Sequence, residues 1–231
     1  MPSSLPLDLI LAVPGGETES LRFFPERLVI AGWAGRDQEA VRHHIEELQA
    51  IGVPPPSATP LFYAGSPALL TTDETVAMLG PQTSGEVEPV LVATARGLCV
   101  GVGSDHTDRY AEEWSVAHAK QLCAKPIGTT LWRLADVIGH WDALILRSFV
   151  GEAGSDQWTP YQEGTMEALR RPEDLLDRLG GLPEGGVMFG GTIPAIGGIR
   201  PAFRFRMEIE DPVLGRRIGH SYVINDLPVV A

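Results

Sequence analysis

Three carboxylates are spaced for joint chemistry. Glu86 and Glu88 flank Val87, and residues i and i+2 of a strand point to the same face. Two carboxylates roughly 6 to 7 Å apart along one strand repel each other unless something positive lies between them. Val87, Val90 and Val92, then Leu98, Val100 and Val102, supply the arms of a hairpin, with Thr94-Ala95-Arg96-Gly97 as its turn. With Ala95 and Arg96 as a two-residue loop, Asp105 falls opposite Glu86, and three carboxylates converge on one patch. Hard oxygen donors in that arrangement suit Mg²⁺, Mn²⁺ or Ca²⁺ rather than zinc. A bulged turn ending at Gly97 would instead slip the register and move Asp105 to the other face. Glu86 and Glu88 would then be the solvated face of an edge strand. Pro89 cannot donate to a ladder, so this end of the strand must be an edge or irregular.

The elements that must position these groups follow from periodicity and turn chemistry. Leu7–Val13 and Arg27–Trp33 read as strands. Asp37–Ala50 reads as a helix: Asp37 can cap it, and Val41, Ile45 and Leu48 recur at helical spacing, with Gly52 as its stop. Thr71–Glu74 is expected to open a short helix. Ala111–Leu122 and Leu131–Ile138 are further helices, and Ala143–Val150 is a strand. Glu152–Gly164 is polar and loop-like. Arg171-Pro172 starts a helix that Gly180-Gly181 stops. Val187–Phe189, Ala202–Ile209 and Arg217–Ile224 are the closing strands. The fold class expected is α+β, a mostly antiparallel or mixed sheet with a few short helices, in one domain over 1–231 with 1–26 as an N-terminal strand and loop extension.

Composition narrows the function classes. The 231 residues carry 18 basic and 30 acidic side chains, a net charge of -12 that repels phosphate backbones and anionic membranes. Neither nucleic acid nor membrane is an expected partner. Hydrophobic residues make up 44%, enough for a core, and the 26 glycines and 19 prolines favour many short strands over a helical bundle. Cys99 and Cys123 cannot form a disulfide framework and read as small buried hydrophobes. Met1–Val13 lacks a basic leading region and contains Asp8, so no signal peptide is expected, and a cytoplasmic location is.

The segment Gly103-Ser104-Asp105-His106-Thr107-Asp108-Arg109, followed by Ala119-Lys120, resembles the fumarylacetoacetate hydrolase superfamily. There a Glu-x-Glu pair and a later Asp in an Asp-x-Thr-x-Arg context bind a divalent cation, and a lysine follows. The matching positions are Glu86, Glu88, Asp105, Thr107, Arg109 and Lys120. Gly190-Gly191-Thr192-Ile193-Pro194-Ala195 with Gly197-Gly198 looks like the family's Thr-Gly-Thr-Pro-x-Gly-x-Gly loop. The resemblance covers about residues 28 to 225 and points to an uncharacterised bacterial branch. It implies a β-roll, a Mg²⁺ or Mn²⁺ cofactor, a small oxo-acid substrate and a homodimer. The Glu88 to Asp105 spacing is short for the family, Phe62-Tyr63-Ala64 stands where better-known members often carry Lys-Pro, and Ile193 replaces a proline.

The same resemblance assigns roles. Superfamily hydrolases activate water with a histidine–glutamate pair, in some members as His-x-x-Glu on a helix. His44 and Glu47 match that spacing, with His43 and Glu46 as the competing register. Lys120 is expected to stabilise a developing oxyanion. Arg109 either clamps a substrate carboxylate or pairs structurally with Asp108 or Glu112. Thr192 and the backbone of Gly191, on a glycine-rich turn, are expected to hold a substrate oxygen. His106 reads as a neighbour that orients the Asp105 loop. The resulting expectation is a metal-dependent hydrolase that cleaves a C–C or acyl bond of an oxo-acid. A decarboxylase or tautomerase on the same site, or a non-catalytic binding protein, are the alternatives.

Overall fold

A computed structural model describes residues 5–50 and 55–230, with the side chains of His44, Glu47, Leu48 and Ala50 outside the description. Among the described residues, two large sheets dominate. The eight-stranded sheet runs, in spatial order, Thr18–Phe23, Leu7–Ala12, Thr130–Arg133, Gly97–Ser104, Val87–Thr94, Gly186–Phe189, Arg27–Gly32 and Leu61–Gly65. The five-stranded sheet runs Thr159–Thr165, Ile145–Gly151, Arg204–Asp211, Arg216–Leu227 and Thr75–Leu79. Most pairings are antiparallel, but Leu7–Ala12 with Thr130–Arg133, Gly186–Phe189 with Arg27–Gly32, and Arg216–Leu227 with Thr75–Leu79 are parallel. The fold is therefore α+β with mixed sheet, as the order of elements implies.

One core lies between the sheets. Val87, Leu91, Val100, Val102 and Trp132 meet Leu146, Phe205, Met207, Ile209 and Tyr222 there. The other face of the eight-stranded sheet is buried as well: Leu9, Leu11, Leu28, Ile30, Val90, Val92, Cys99, Leu131 and Phe189 form a second cluster. Nearly every strand contributes to that cluster and little else does, so the sheet covers its own face as a roll. All eight residues of Val87–Thr94 are consequently buried, because both their faces pack.

The helices are short. α1 is Gln38–Ala50, and Asp37 Oδ1 caps it by accepting from the N–H groups of Glu39 at 2.9 Å and Ala40 at 3.1 Å. Its root is tied down by Arg36, which forks onto Asp142 at 2.9 and 2.7 Å and donates to Leu169 O at 3.0 Å. α2 (Arg109–Glu112), α3 (Val116–Gln121), α4 (Leu134–Val137) and α5 (Pro172–Leu179) follow.

The structure departs from several expectations of the sequence. Ala111–Leu122 is not one helix; it is broken by Ser115, which caps α3. Thr71–Glu74 is not helical: Leu70–Thr71 is a strand and Thr71 Oγ1 accepts from Asp73 N in a local turn that favoured an extended exit. Leu131–Ile138 starts as a strand, since Trp132 pairs with Val100, and becomes helical from Leu134. The polar stretch after Glu152 includes the edge strand Thr159–Thr165, whose outer face needs no apolar residues. Pro89 lies in an interior strand, not an edge. Gly186–Phe189 pairs only as far as Val90, so the missing N–H falls where that neighbour has ended and Gly190 N donates to Pro89 O at 2.9 Å. Gly52 lies outside the described residues. No described helix is long and apolar enough to cross a membrane.

Candidate metal centre

The hairpin register is the one that a two-residue turn requires. Thr94 pairs with Gly97 and Val87 with Ser104, and one step further Asp105 N donates to Glu86 O at 2.9 Å. Glu86, Glu88 and Asp105 therefore share one face, and each offers a carboxylate oxygen within 4.8 Å of the others. Gly103 allows this end to close, since a Cβ there would lie 2.5 Å from Val90 Cγ2 and 2.7 Å from Phe189.

Asp105 is fully buried between two ammonium groups. Lys120 Nζ pairs with its Oδ2, and Lys125 Nζ lies 2.9 Å from its Oδ1. Burial raises the Asp105 carboxyl, but the two lysines outweigh it and hold the group down at about 2. Each oxygen of Asp105 thus faces one ammonium, with no water around it. A buried carboxylate of this kind needs a positive partner, which the two lysines supply here and a cation could supply in their place. Glu88 is also buried, and its Oε2 accepts from Gly191 N at 2.8 Å. Burial, and then the charge of Asp105, push its carboxyl well above the usual range. Three clustered hard oxygens, two of them on buried carboxyls and one of those held against ionisation, fit a divalent cation.

The residues around the triad position it. Arg109 commits its fork to protein groups: one arm to Glu86 Oε1 at 3.0 Å, the other to Glu112 Oε2 at 2.8 Å, and Nε to Ser84 Oγ at 2.6 Å. Of its two expected roles, the structural pairing with Glu112 is the one present, extended to Glu86. Thr192 is similarly engaged, donating to Val87 O at 2.8 Å and accepting from Gln162 Nε2 at 2.8 Å. The Gly191 N–H expected for a substrate oxygen is held by Glu88. Lys120, read as an oxyanion stabiliser, is buried against Asp105. His106 is no ligand: Tyr222 Oη donates to Ser104 Oγ, so His106 Nδ1–H donates to Tyr222 and Nε2 accepts from Thr83, each at 2.9 Å. Burial, with Lys125 nearby, lowers its imidazole to about 3 and keeps it neutral. His44 and Glu47 belong to α1, but their side chains lie outside the described residues; His43 and Glu46 are exposed.

Two residues escaped the sequence reading. Lys125 is wholly buried and also donates to His106 O. Its signal was a lone lysine inside the apolar run Leu122–Ile127. Gln162 accepts from Val87 N at 3.0 Å and Ser148 Oγ at 2.9 Å, and donates to Thr192 and to Ile193 O at 2.6 Å. It bolts the Glu-x-Glu strand to the glycine-rich loop, and nothing local marks it.

Gly191 adopts φ +94, and a Cβ there would lie 2.7 Å from Ala34 Cβ. Gly191→Ala is expected to cost about 1 to 2 kcal/mol from the left-handed backbone alone. It should also weaken any metal-induced rise in melting temperature by moving the N–H that orients Glu88. Urea denaturation with and without Mg²⁺ measures both; an unchanged midpoint would show that this loop does not brace the triad.

Solved structures share the fold. Cg1458 aligns with a TM-score of 0.64 at 16% identity, covering 91% of this chain and 80% of that one. The yeast protein ynq8, a fumarylacetoacetate hydrolase family protein, aligns at 0.63 and 14%, covering 89% and 95%. The 2-keto-3-deoxy-D-arabinonate dehydratase complexed with magnesium and 2,5-dioxopentanoate aligns at 0.61 and 15%, covering 89% and 74%. None of the curated proteins compared matches the chain. The fold that the motifs around Asp105 and Gly191 implied is thus the one observed. A family model matches residues 31–222, and the chain belongs to that family, described as "Protein of unknown function (DUF2848)".

Proposed function

We propose that this chain is a divalent-metal-dependent enzyme acting on a small oxo-acid, and that it hydrolyses a C–C or acyl bond. The observation that carries the reading is the buried convergence of Glu86, Glu88 and Asp105, with oxygens within 4.8 Å on one face of the hairpin end. Those three would hold Mg²⁺ or Mn²⁺, which when bound supplies Lewis-acid polarisation of a substrate oxygen. A magnesium complex of a fold neighbour that dehydrates an oxo-acid supports the cofactor and substrate class.

The chain's own residues supply the remainder. Lys125 and Arg109 neutralise and orient Asp105 and Glu86, so the ligand oxygens are fixed before substrate arrives. The Gly191 N–H holds one Glu88 oxygen and sets the direction of the other. Lys120, paired with Asp105 in the metal-free protein, is proposed to turn its positive charge to an oxyanion once a cation takes its place. His44, one helical turn from Glu47 on α1, is proposed as the base that takes a proton from water, with Glu47 orienting the imidazole.

The dehydratase neighbour favours a second reading, a lyase that needs an acid and a base but no attacking water. Reaction in ¹⁸O-labelled water separates them: hydrolysis places the label in the carboxylate product, and a lyase leaves that oxygen unlabelled. The metal itself is tested first by calorimetric melting. Mg²⁺ or Mn²⁺ at 100 times Kd is expected to add about 2.7 kcal/mol of stability, reversed by chelation. A melting temperature indifferent to both ions would end the metal reading.

A further inference from the structure

We propose that Lys120 is the resident counter-ion of the triad: its ammonium bridges Asp105 and Glu86 in the metal-free protein and must leave them when a divalent cation enters. This rests on the reading of Glu86, Glu88 and Asp105 as a metal site. The three basic side chains around the triad do different things. Lys125 is wholly enclosed and touches Asp105 Oδ1 and the His106 carbonyl from behind. Arg109 grips Glu86 Oε1 from the side, with its other donors on Glu112 and Ser84. Lys120 alone of the three reaches two members of the triad, in an ion pair with Asp105 Oδ2 and 3.8 Å from Glu86 Oε2.

The triad's oxygens lie within 4.8 Å of one another, so an ammonium bonded to one and close to a second sits within the few ångströms that a cation would fill. Two positive centres that close repel strongly in a dry site. Lys120 is also the group built to move. It extends from α3, a helix of only six residues, on a flexible four-carbon stem, and its side chain is 9% exposed where that of Lys125 is 0%. Metal entry therefore competes with the ammonium, and the apparent affinity is the intrinsic one reduced by the fraction of molecules in which Lys120 has swung away. The displaced ammonium is then free at the rim to meet a substrate oxygen, so metal loading precedes substrate engagement.

The test is isothermal calorimetry of Mg²⁺ and Mn²⁺ binding to the full chain, without substrate. Lys120→Met, which keeps the stem and removes the charge, is expected to bind either ion at least about tenfold more tightly. Its metal-free form should melt lower, with a larger metal-induced rise. Lys120→Arg, which keeps the charge, should bind no more tightly than the wild type. Lys120→Gln carries the same expectation as Lys120→Met and stands in if the methionine variant does not fold without metal. Wild-type binding that is unchanged or weakened in both neutral variants would overturn the proposal, since Lys120 would then be helping the ion. If neither wild type nor variants bind either ion, the metal reading itself fails.

Discussion

Asp105→Asn is expected to cost about 3 to 5 kcal/mol of folding stability, because it removes one partner from a buried ionic cluster and leaves two ammonium groups behind. Lys125 is wholly buried and Lys120 nearly so, and neither finds another carboxylate as close. The carboxyl's descent from 3.8 to about 2 corresponds to roughly 2 to 3 kcal/mol at neutral pH, the same order. The sign is that of a depressed acid: the stabilisation is complete above 3.8 and disappears as pH falls toward about 2. Urea midpoints of wild type and variant should therefore differ most at neutral pH and converge on acidification across that window. The variant should also lose its melting response to Mg²⁺. A loss below about 1 kcal/mol, with the metal response kept, would place Asp105 outside the centre of the site.

Glu88→Gln should behave in the opposite way toward stability and the same way toward metal. The Glu88 carboxyl is raised by its burial first and by Asp105 second, so its ionised form is unwelcome in the metal-free protein. For a raised acid the penalty is absent below the ordinary value of 4.5, grows as pH rises above it, and levels off beyond the folded value. An amide of the same shape carries no such penalty and can still accept from Gly191 N. The metal-free variant should therefore melt above the wild type at pH 7.5 and match it near pH 4.5. Divalent-ion affinity should fall by at least about 100-fold, more than loss of an outer partner costs. Wild-type affinity should rise with pH as Glu88 ionises. A variant that melts lower than wild type at neutral pH would mean that Glu88 is stabilised as an anion without metal.

The triad was legible because its geometry is local. Strand alternation puts Glu86 and Glu88 on one face, and a two-residue turn sets the register that brings Asp105 across. The same locality made Asp37 a readable cap and Gly180 a readable stop, at φ 78. The errors arose where distant strands set the conformation. Trp132 carries a helix-compatible neighbourhood but is captured by pairing with Val100. The polar stretch containing Thr159–Thr165 became a strand because Ile145–Gly151 offered it an edge.

Residue types and spacing thus determined which carboxylates converge, the class of ion they suit and the kind of fold that carries them. Only the tertiary structure decided which groups neutralise them. Lys125, Lys120 and Arg109 approach from a separate strand and two short helices, and it is the packing of those elements that brings their charges onto Asp105 and Glu86. Burial decided the rest, because a carboxylate's proton affinity depends on the water and charges around it, and those exist only once the chain has folded.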